Sequence, residues 1–301
     1  MVDVLLTSKM KWNHIMSSDQ KIAIVTGSSS GIGLETAIHL AKNGFKTYAT
    51  MRNLGKSDDI KQRAQTENLP IEIAQLDVTD DDSVKTAINK IAEKEGKIDV
   101  LVNNAGYAVI GAAEDLSSKE IKDQFDTNVF GVYRATQAVL PTMRKQQSGR
   151  IITISSIAGF SGFPAMSAYV GTKFAVEGFT ESLRHEVAPF GIHACVVEPG
   201  VIKTNIMKAA PIAKRSQEEN SPYSDIIQAI GKGMEGAMKA MGSPPSVVAE
   251  AVLQAATAEN SEIRYTAGED AKMLQQAKKT KSDKEFEEFV KTGFLDQLTN
   301  N

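Results

Sequence analysis

Short apolar runs rich in Val, Ile and Thr alternate with longer amphipathic stretches along most of this 301-residue chain. Such runs are typical of β-strands, and their alternation with helix-length segments indicates a parallel sheet with helical crossovers. Several runs are apolar at consecutive positions, as expected for strands that helices cover on both faces. About seven strands are predicted: KIAIVTG (21–27), KTYATM (46–51), IEIAQLDV (71–78), IDVLVNNAG (98–106), RIITISS (150–156), IHACVVEPG (192–200) and EIRYTAG (262–268).

Helices are predicted between these strands. Right-handed crossovers and the observed order of segments predict an α/β fold, a three-layer, doubly wound sandwich around a central parallel sheet. Further helices are expected in the last hundred residues. The helical patterns lie at 31–43, 80–95, 117–147 and 168–189.

The domain organisation follows from chain length and from the absence of linkers. A length of 301 residues is near the upper limit for one hydrophobic core, and no Pro/Gly/Ser-rich linker divides the strand series. One domain is therefore expected, with a substrate lid inserted where Gly, Met, Pro and charged residues mix. The expected parts are a flexible N-terminal extension (1–19), the main domain (20–270), the lid within it (205–245) and a C-terminal helical tail (271–301).

Charge and composition exclude several functional classes. The 34 basic and 37 acidic residues give a formal charge of -3, which provides no basic field for a nucleic acid. A single Cys forms no internal disulfide, and with four His it supplies few metal ligands, so no metal site is expected. No apolar run reaches the ~18 residues of a membrane span, and no signal peptide is recognisable, so a cytoplasmic location without membrane contact is expected.

A glycine-rich turn, TGSSSGIG at 26–33, separates the first strand from the first helix. Such a turn lets the backbone approach a pyrophosphate, whose charge then meets the free N–H groups at the helix N-terminus. The preceding strand and following helix are the context that a dinucleotide site requires. The expected phosphate-binding residues are Gly27, Ser29, Ser30, Gly31, Ile32 and Gly33.

The end of the second strand indicates which dinucleotide binds. It reads TYATMRN and has no carboxylate before Asp58, so no acid is placed to receive the ribose 2′-hydroxyl of NAD. Arg52 is suited to a 2′-phosphate, with Ser29 and Ser30 as additional donors. NADP(H) is therefore favoured over NAD(H). The alternative is that Arg52 is only a solvated surface cation.

Tyr169 and Lys173 stand four residues apart and so share one face of a predicted helix. A phenol with a pKa of ~10 is a poor base near neutral pH, and an adjacent ammonium favours its phenolate form. Ser155 and Ser156 end the preceding strand, where a hydroxyl could hold a substrate oxygen while the tyrosine exchanges its proton. The Tyr-x-x-x-Lys spacing by itself is a weak motif.

Seven motifs occur in order along the chain: TGSSSGIG (26–33), LDV (76–78), NNAG (103–106), Asn128 in FDTNVFG, ISS (154–156), YVGTK (169–173) and EPG (198–200). Together they resemble the short-chain dehydrogenase/reductase family, in its compact single-domain branch, over about residues 20–206. The amino-acid sequence is also similar to hydroxysteroid-dehydrogenase-like members of this family. The resemblance implies a Rossmann fold, a nicotinamide cofactor and a homodimer or homotetramer.

The resemblance also implies residue roles. Tyr169 would be the general acid/base, Lys173 would lower its pKa and bond the nicotinamide ribose, and Asn128 would hold a water of a proton relay. The family's interval of thirteen residues before the tyrosine selects Ser156 as the fourth catalytic residue. Further cofactor contacts are implied for Asp77, Val78, Asn104, Ala105, Gly106, Pro199, Gly200, Ile202 and Thr204, in addition to Tyr169 and Lys173. The expected substrate-binding residues are Ser156, Phe163, Tyr169 and Asn205.

The expected function is that of an NADP(H)-dependent oxidoreductase. It would transfer a hydride between nicotinamide and a secondary alcohol/ketone or aldehyde, a small molecule expected to be lipophilic. One alternative is a catalytically silent dinucleotide-binding sensor, which retention of all four polar residues disfavours. A sugar-converting or isomerising member is another alternative, which the Gly-x-x-x-Gly-x-Gly spacing disfavours.

Overall fold

Seven strands form one sheet in the order β3-β2-β1-β4-β5-β6-β7. The structure is a computed structural model that describes residues 20–206 and 210–292, so the predicted extension at 1–19 and the end of the predicted tail lie outside it. Every strand pair is parallel, which confirms the predicted doubly wound sheet. The strands are β1 Ile22–Val25, β2 Lys46–Met51, β3 Ile71–Gln75, β4 Val100–Asn103, β5 Gly149–Ile154, β6 Ile192–Pro199 and β7 Arg264–Ala267.

Helices cover both faces of the sheet and complete the three layers. One apolar core joins the sheet to α1 and α8 through residues such as Leu40 and Val252. The other core joins it to α3, α5 and α6, with Ile88, Val139 and Leu183 buried. The helices are α1 Gly31–Lys42, α2 Asp58–Thr66, α3 Asp81–Glu95, α4 Ser118–Phe125, α5 Gly131–Gln146, α6 Ser167–Val187, α7 Ser224–Met241, α8 Pro245–Thr257, α9 Glu269–Thr280 and α10 Asp283–Val290.

Two helical features differ from the sequence prediction. The single helix expected at 117–147 is interrupted by a π-helical turn at Asp126–Phe130, between α4 and α5. Such turns commonly occur at functional sites, and this one contains Asn128. Helix α2 was not predicted because Ile60 is its only buried residue, so its sequence lacks an apolar stripe.

The predicted strands were too long at their carboxyl ends, and the excess residues lie beside the cavity described below. Strand β2 ends at Met51 as predicted, but β3, β4 and β5 end before residues 76–78, 104–106 and 155–156. At these residues, most of which are polar or small, the chain has already left the sheet. Because all strands are parallel, the segments meet at one edge, where ligands bind in doubly wound folds.

Within 20–206 and 210–292, no helix is both long enough and apolar enough to cross a membrane. In the same ranges, no three His, Cys, Asp or Glu side chains are grouped so that they could hold a metal ion.

We expect Ile24→Ala to lower the free energy of unfolding by about 2–5 kcal/mol. Ile24 lies in central strand β1 and is 0% exposed, so truncation leaves a cavity between sheet and helices. Denaturant titration measures the change. Ile226→Ala is the matched control, since Ile226 is 50% exposed on α7 and should alter stability by less than about 0.5 kcal/mol. Equal effects of the two substitutions would contradict this assignment of the core.

Candidate active site

A cavity of about 1270 Å³ runs along the carboxyl edge of the sheet. Every residue that the sequence analysis assigned to cofactor or substrate binding lines it. Of the four predicted catalytic residues, Ser156, Tyr169 and Lys173 line the cavity, whereas Asn128 does not. One continuous space therefore brings together residues separated by more than 170 positions in the sequence.

The glycine turn is held to the end of β4 by hydrogen bonds. Thr26 Oγ1 accepts from the backbone N–H groups of Asn104 and Ala105, each at 3.0 Å. Asn104 Nδ2 donates to the Thr26 carbonyl at 2.8 Å. A Cβ on Gly33 would lie 2.4 Å from Asn104 Nδ2 and 2.5 Å from the Gly27 carbonyl oxygen, so only glycine fits.

The N-terminus of α1 suits an anion. Ser30 occupies the N-cap position with extended backbone, and its side chain makes no capping hydrogen bond. The first turn of α1 contains no acidic residue, so no carboxylate compensates the positive end of the helix dipole. The backbone N–H groups and dipole at this end favour a pyrophosphate.

Two cations line the cavity beside β2 and β3. Arg52 was predicted, whereas Lys56 was not, because the one-turn 3₁₀ helix at Leu54–Lys56 gives no periodic signal. Asn53 accepts a hydrogen bond from Gly55 N at 2.9 Å and so shapes this turn. Within the described ranges, neither cation is in an ion pair with a carboxylate. Asp77 also lines the cavity, but its Oδ1 accepts from Thr79 N and Thr79 Oγ1 at 3.0 and 2.8 Å.

Helix α6 carries the tyrosine and lysine as predicted, on adjacent turns. Lys173 Nζ lies 5.5 Å from the centroid of the Tyr169 ring and donates to the Ile154 carbonyl at 2.8 Å. Ser156 Oγ accepts from Ala158 N at 3.1 Å, which leaves the hydroxyl proton available to a ligand. The three polar side chains thus meet where β5 and α6 border the cavity.

Burial dominates the ionisation of this pair in the free protein. Burial raises the pKa of Tyr169 to about 12, with the Ser156 hydroxyl acting in the opposite direction. Burial lowers the pKa of Lys173 to about 8, and the charge of Glu177 opposes that shift. Bringing the phenol from about 12 to ~7 requires about 7 kcal/mol at ~1.36 kcal/mol per pKa unit. Desolvation thus exceeds the other contributions in the free protein, and the lowering of the Tyr169 pKa that the resemblance implies stays a prediction.

Asn128 connects elements around the site and does not face the cavity. Its Oδ1 accepts from Tyr107 N at 3.0 Å, while its Nδ2 donates to the Tyr107 carbonyl at 2.9 Å and to Thr172 Oγ1 at 3.1 Å. The amide thus fastens the loop after β4 to α6. These contacts occupy its side chain, and the role in a proton relay that the resemblance implies for Asn128 stays a prediction.

The segment 210–243 is tied to the main body at both ends. Ala213 N donates to the Ile110 carbonyl at 2.7 Å, and Ile110 N donates to the Pro211 carbonyl at 3.0 Å. At the other end, Lys203 N donates to the Ser243 carbonyl at 2.8 Å. Between these ties, α7 presents apolar side chains to the cavity that Phe163 also lines. They are Met234, Ala237, Met238 and Met241.

Asp270 holds the loop that follows β6, a contact that sequence reasoning missed. The carboxylate, 7% exposed in α9, accepts from Val201 N at 2.6 Å. A Cβ on Gly200 would lie 2.2 Å from both of its oxygens. The sequence alone gives no signal for this contact, since 69 residues separate Asp270 from Val201.

Gly200→Ala should displace the loop, because its methyl group and the Asp270 carboxylate cannot occupy the same space. We expect a loss of stability of about 1–3 kcal/mol and weaker dinucleotide binding, measured by thermal unfolding and calorimetry. Gly178→Ala is the control, since a Cβ there meets nothing within 4 Å and alanine favours the α6 helix. If Gly200→Ala bound dinucleotide as well as Gly178→Ala does, the loop would not depend on this close approach.

Comparisons with known proteins agree with this architecture. The family model for short chain dehydrogenases matches residues 21–215. An uncharacterized oxidoreductase of Bacillus subtilis, YusZ, is 40% identical over 85% of this chain and 91% of its own length. Human 17-beta-hydroxysteroid dehydrogenase type 1 is 34% identical over 81% of this chain and 76% of its own.

Solved structures agree as well. A short-chain dehydrogenase from Streptomyces avermitilis superimposes with a TM-score of 0.78 at 34% identity, covering 91% of this chain and 98% of that one. ElxO, solved with NADP bound, gives a TM-score of 0.68 at 32% identity, covering 82% and 97%. With the glycine turn, the parallel sheet and the Ser-Tyr-Lys group in one cavity, these matches establish that the chain belongs to the short-chain dehydrogenase family of oxidoreductases.

Proposed function

We propose that the protein is an NADP(H)-dependent oxidoreductase that interconverts a secondary alcohol and ketone, or an alcohol and aldehyde. The observation that carries the proposal is the convergence of Ser156, Tyr169 and Lys173 in the cavity that also contains the glycine turn. A bound nicotinamide would supply or accept the hydride. The protein's own residues would bind the two partners and move the proton.

Proton transfer falls to Tyr169. In the reducing direction its O–H donates the proton to the carbonyl oxygen, and Ser156 donates a hydrogen bond to the same oxygen. The phenolate that remains is stabilised by the Lys173 ammonium, whose Nζ lies 5.5 Å from the ring centroid. In the oxidising direction the same groups act in reverse.

The residues present fit a phosphorylated dinucleotide. The uncompensated N-terminus of α1 suits the pyrophosphate, and the Gly33 position allows close approach of the backbone. Arg52 and Lys56 line the cavity beside β2, and no carboxylate occupies the end of that strand. The two cations favour a 2′-phosphate, and the structural relative ElxO binds NADP.

The substrate side of the cavity supports a lipophilic substrate. Apolar side chains from α7 line the cavity together with Phe163 and Met166, and Met234 packs in one cluster with both of them. Asn205, in the loop after β6, is a polar group of the same lining. We assign segment 205–245 the role of a substrate lid within one domain spanning 20–270. The human relative named for 17-beta-hydroxysteroids supports this substrate class.

A homodimer or homotetramer belongs to the same proposal. Phe130 and Tyr133 lie in and just after the π-helical turn, and Phe174 lies on α6; they are 53%, 40% and 48% exposed in the single chain. Exposed aromatic side chains on adjacent helices are typical of an interface between subunits. We also propose a cytoplasmic location, which cell fractionation tests.

Tyr169→Phe should reduce carbonyl reduction by about 10²–10⁴-fold, because phenylalanine has no proton to transfer. Oxidation of NADPH across a panel of ketones and aldehydes measures the rate, and calorimetry checks that cofactor binding is retained. The control, Tyr265→Phe, makes the same chemical change on β7, outside the cavity, and should keep full activity. Full activity of Tyr169→Phe would rule out the mechanism, while a native protein that binds cofactor but turns over no substrate would support the sensor alternative.

Arg52→Ala should weaken NADPH binding about tenfold or more, since hydrogen bonds to charged groups contribute about 1.5–3 kcal/mol. The affinity for NADH, which lacks the 2′-phosphate, should stay the same. Fluorescence titration with both cofactors gives the two dissociation constants. Lys61→Ala is a matched charge control on the exposed face of α2 and should change neither. A native protein without preference for NADPH would show that Arg52 does not read the phosphate.

A further inference from the structure

A second group of charged side chains lies along α6 beside Lys173. Glu177, one helical turn after Lys173, is 7% exposed, and its Oε2 accepts from Arg264 Nε at 3.1 Å. Arg264, on edge strand β7, also pairs with Glu181 and has its Nε 3.3 Å from Glu198 Oε1. None of these four residues lines the cavity. Contact with a ligand in the cavity therefore does not account for this buried group of charges.

Lys173 needs a nearby anion if it is to stay charged. The residue is 9% exposed, and its hydrogen bond to the Ile154 carbonyl is made to a neutral group. Burying an ammonium without a counter-charge is costly, and the usual result is loss of its proton. Residues four apart on a helix share one face, so Glu177 stands one turn from Lys173 on α6, without a direct ion pair between the two side chains. Its charge raises the pKa of Lys173 against the effect of burial.

The Glu177 carboxylate is also directed toward the end of β5. A Cβ on Gly159 would lie 2.6 Å from Ser155 Oγ and 3.0 Å from Glu177 Oε1, so these two atoms border one small space. Ser155 stands between Ile154, whose carbonyl holds Lys173, and Ser156. The carboxylate is thus fixed by Arg264 on one side and confined beside the catalytic strand end on the other.

Glu198 is a second buried carboxylate beside Arg264. Burial and the negative charge of Glu177 raise the pKa of Glu198 to about 7, while Arg264, Gln275 and Lys279 act in the opposite direction. Glu198 Oε2 accepts from Gln275 Nε2 at 2.8 Å, but Glu198 Oε1 is buried without a hydrogen-bond donor. Burial raises the pKa of Glu177 too, and Ser155 and Arg264 oppose that shift. The Arg264 guanidinium donates its hydrogen bond to Glu177 and lies 3.3 Å from Glu198 Oε1, so its charge favours the anionic form of both carboxylates.

We propose that Glu177 is a positioning residue of the reaction: its carboxylate, held by Arg264, is the counter-charge that keeps the Lys173 ammonium protonated beside Tyr169. The role rests on the proposed function, because it matters to catalysis only if Lys173 serves the proton transfer of Tyr169. The charged and titratable groups around the pair are Tyr169 and Glu181 on α6, Arg264 on β7, Glu198 on β6 and Lys279 on α9.

The test measures the ionisation of Lys173 itself. Only the neutral amine reacts with an acetylating reagent, so the acetylation rate of Lys173, followed by mass spectrometry over a pH series, gives its midpoint. Removing a neighbouring anion destabilises the ammonium, so Glu177→Gln should lower the midpoint by about one pH unit. Glu177→Asp keeps the charge and should restore most of the native value.

Glu181→Gln is the matched control. It removes a carboxylate that pairs with the same Arg264 but stands two turns from Lys173, so the midpoint should stay within about 0.3 units. A Glu177→Gln midpoint equal to the native one would overturn the proposal. So would a native midpoint below about pH 7, a result that needs no variant and can therefore overturn the proposal even if Glu177→Gln does not fold.

Activity provides a second readout. The alkaline limb of the carbonyl-reduction profile should move to lower pH in Glu177→Gln, by the same amount as the Lys173 midpoint, and stay in place in Glu181→Gln. If no carbonyl is turned over by the native protein, the proposed function fails, while the acetylation midpoint still decides the role of Glu177. If turnover occurs but the limb does not move with the midpoint, Glu177 has no part in positioning for the reaction.

Discussion

The hydrogen bonds from Asn104 and Ala105 to Thr26 join the ends of β1 and β4, the two central strands at which the strand order reverses. Chains leaving neighbouring strands at that point run to opposite faces of the sheet and leave a crevice between them. The glycine turn, the N-terminus of α1 and the loop after β4 all take their positions from this junction. The anion site at one end of the cavity therefore depends on contacts 78 and 79 residues apart.

The ionisation of Tyr169 and Lys173 depends on the balance between their burial and the charges near them. Placing Tyr169 and Lys173 in a buried position removes water that would compete for a substrate oxygen, but it shifts both groups toward their neutral forms. A neighbouring charge is needed to offset this shift of Lys173 toward its neutral form. Glu177, one helical turn after Lys173, forms an ion pair with Arg264, and neither residue lines the cavity.

The sequence predicted the sheet well, because buried parallel strands have a strong local pattern, and β2 was predicted to the residue. The binding residues predicted from the sequence all line the cavity, and most of them belong to short motifs. Local pattern failed for α2, which buries only Ile60, and for the break at Asp126–Phe130. It gave no indication of the contacts of Asp270 and Arg264, because these residues act across strands that are distant in sequence.

The ties at the two ends of segment 210–243 affect the thermodynamics of binding. A chain fixed at both ends has fewer conformations than a free loop of the same length. Folding has thus already restricted α7, and a ligand that contacts its methionines has less loop entropy to remove on binding. The flexible methionine side chains retain the freedom to fit different apolar shapes. Preorganisation of the backbone is in this way combined with adaptability of the side chains, a combination suited to a group of related molecules rather than to one.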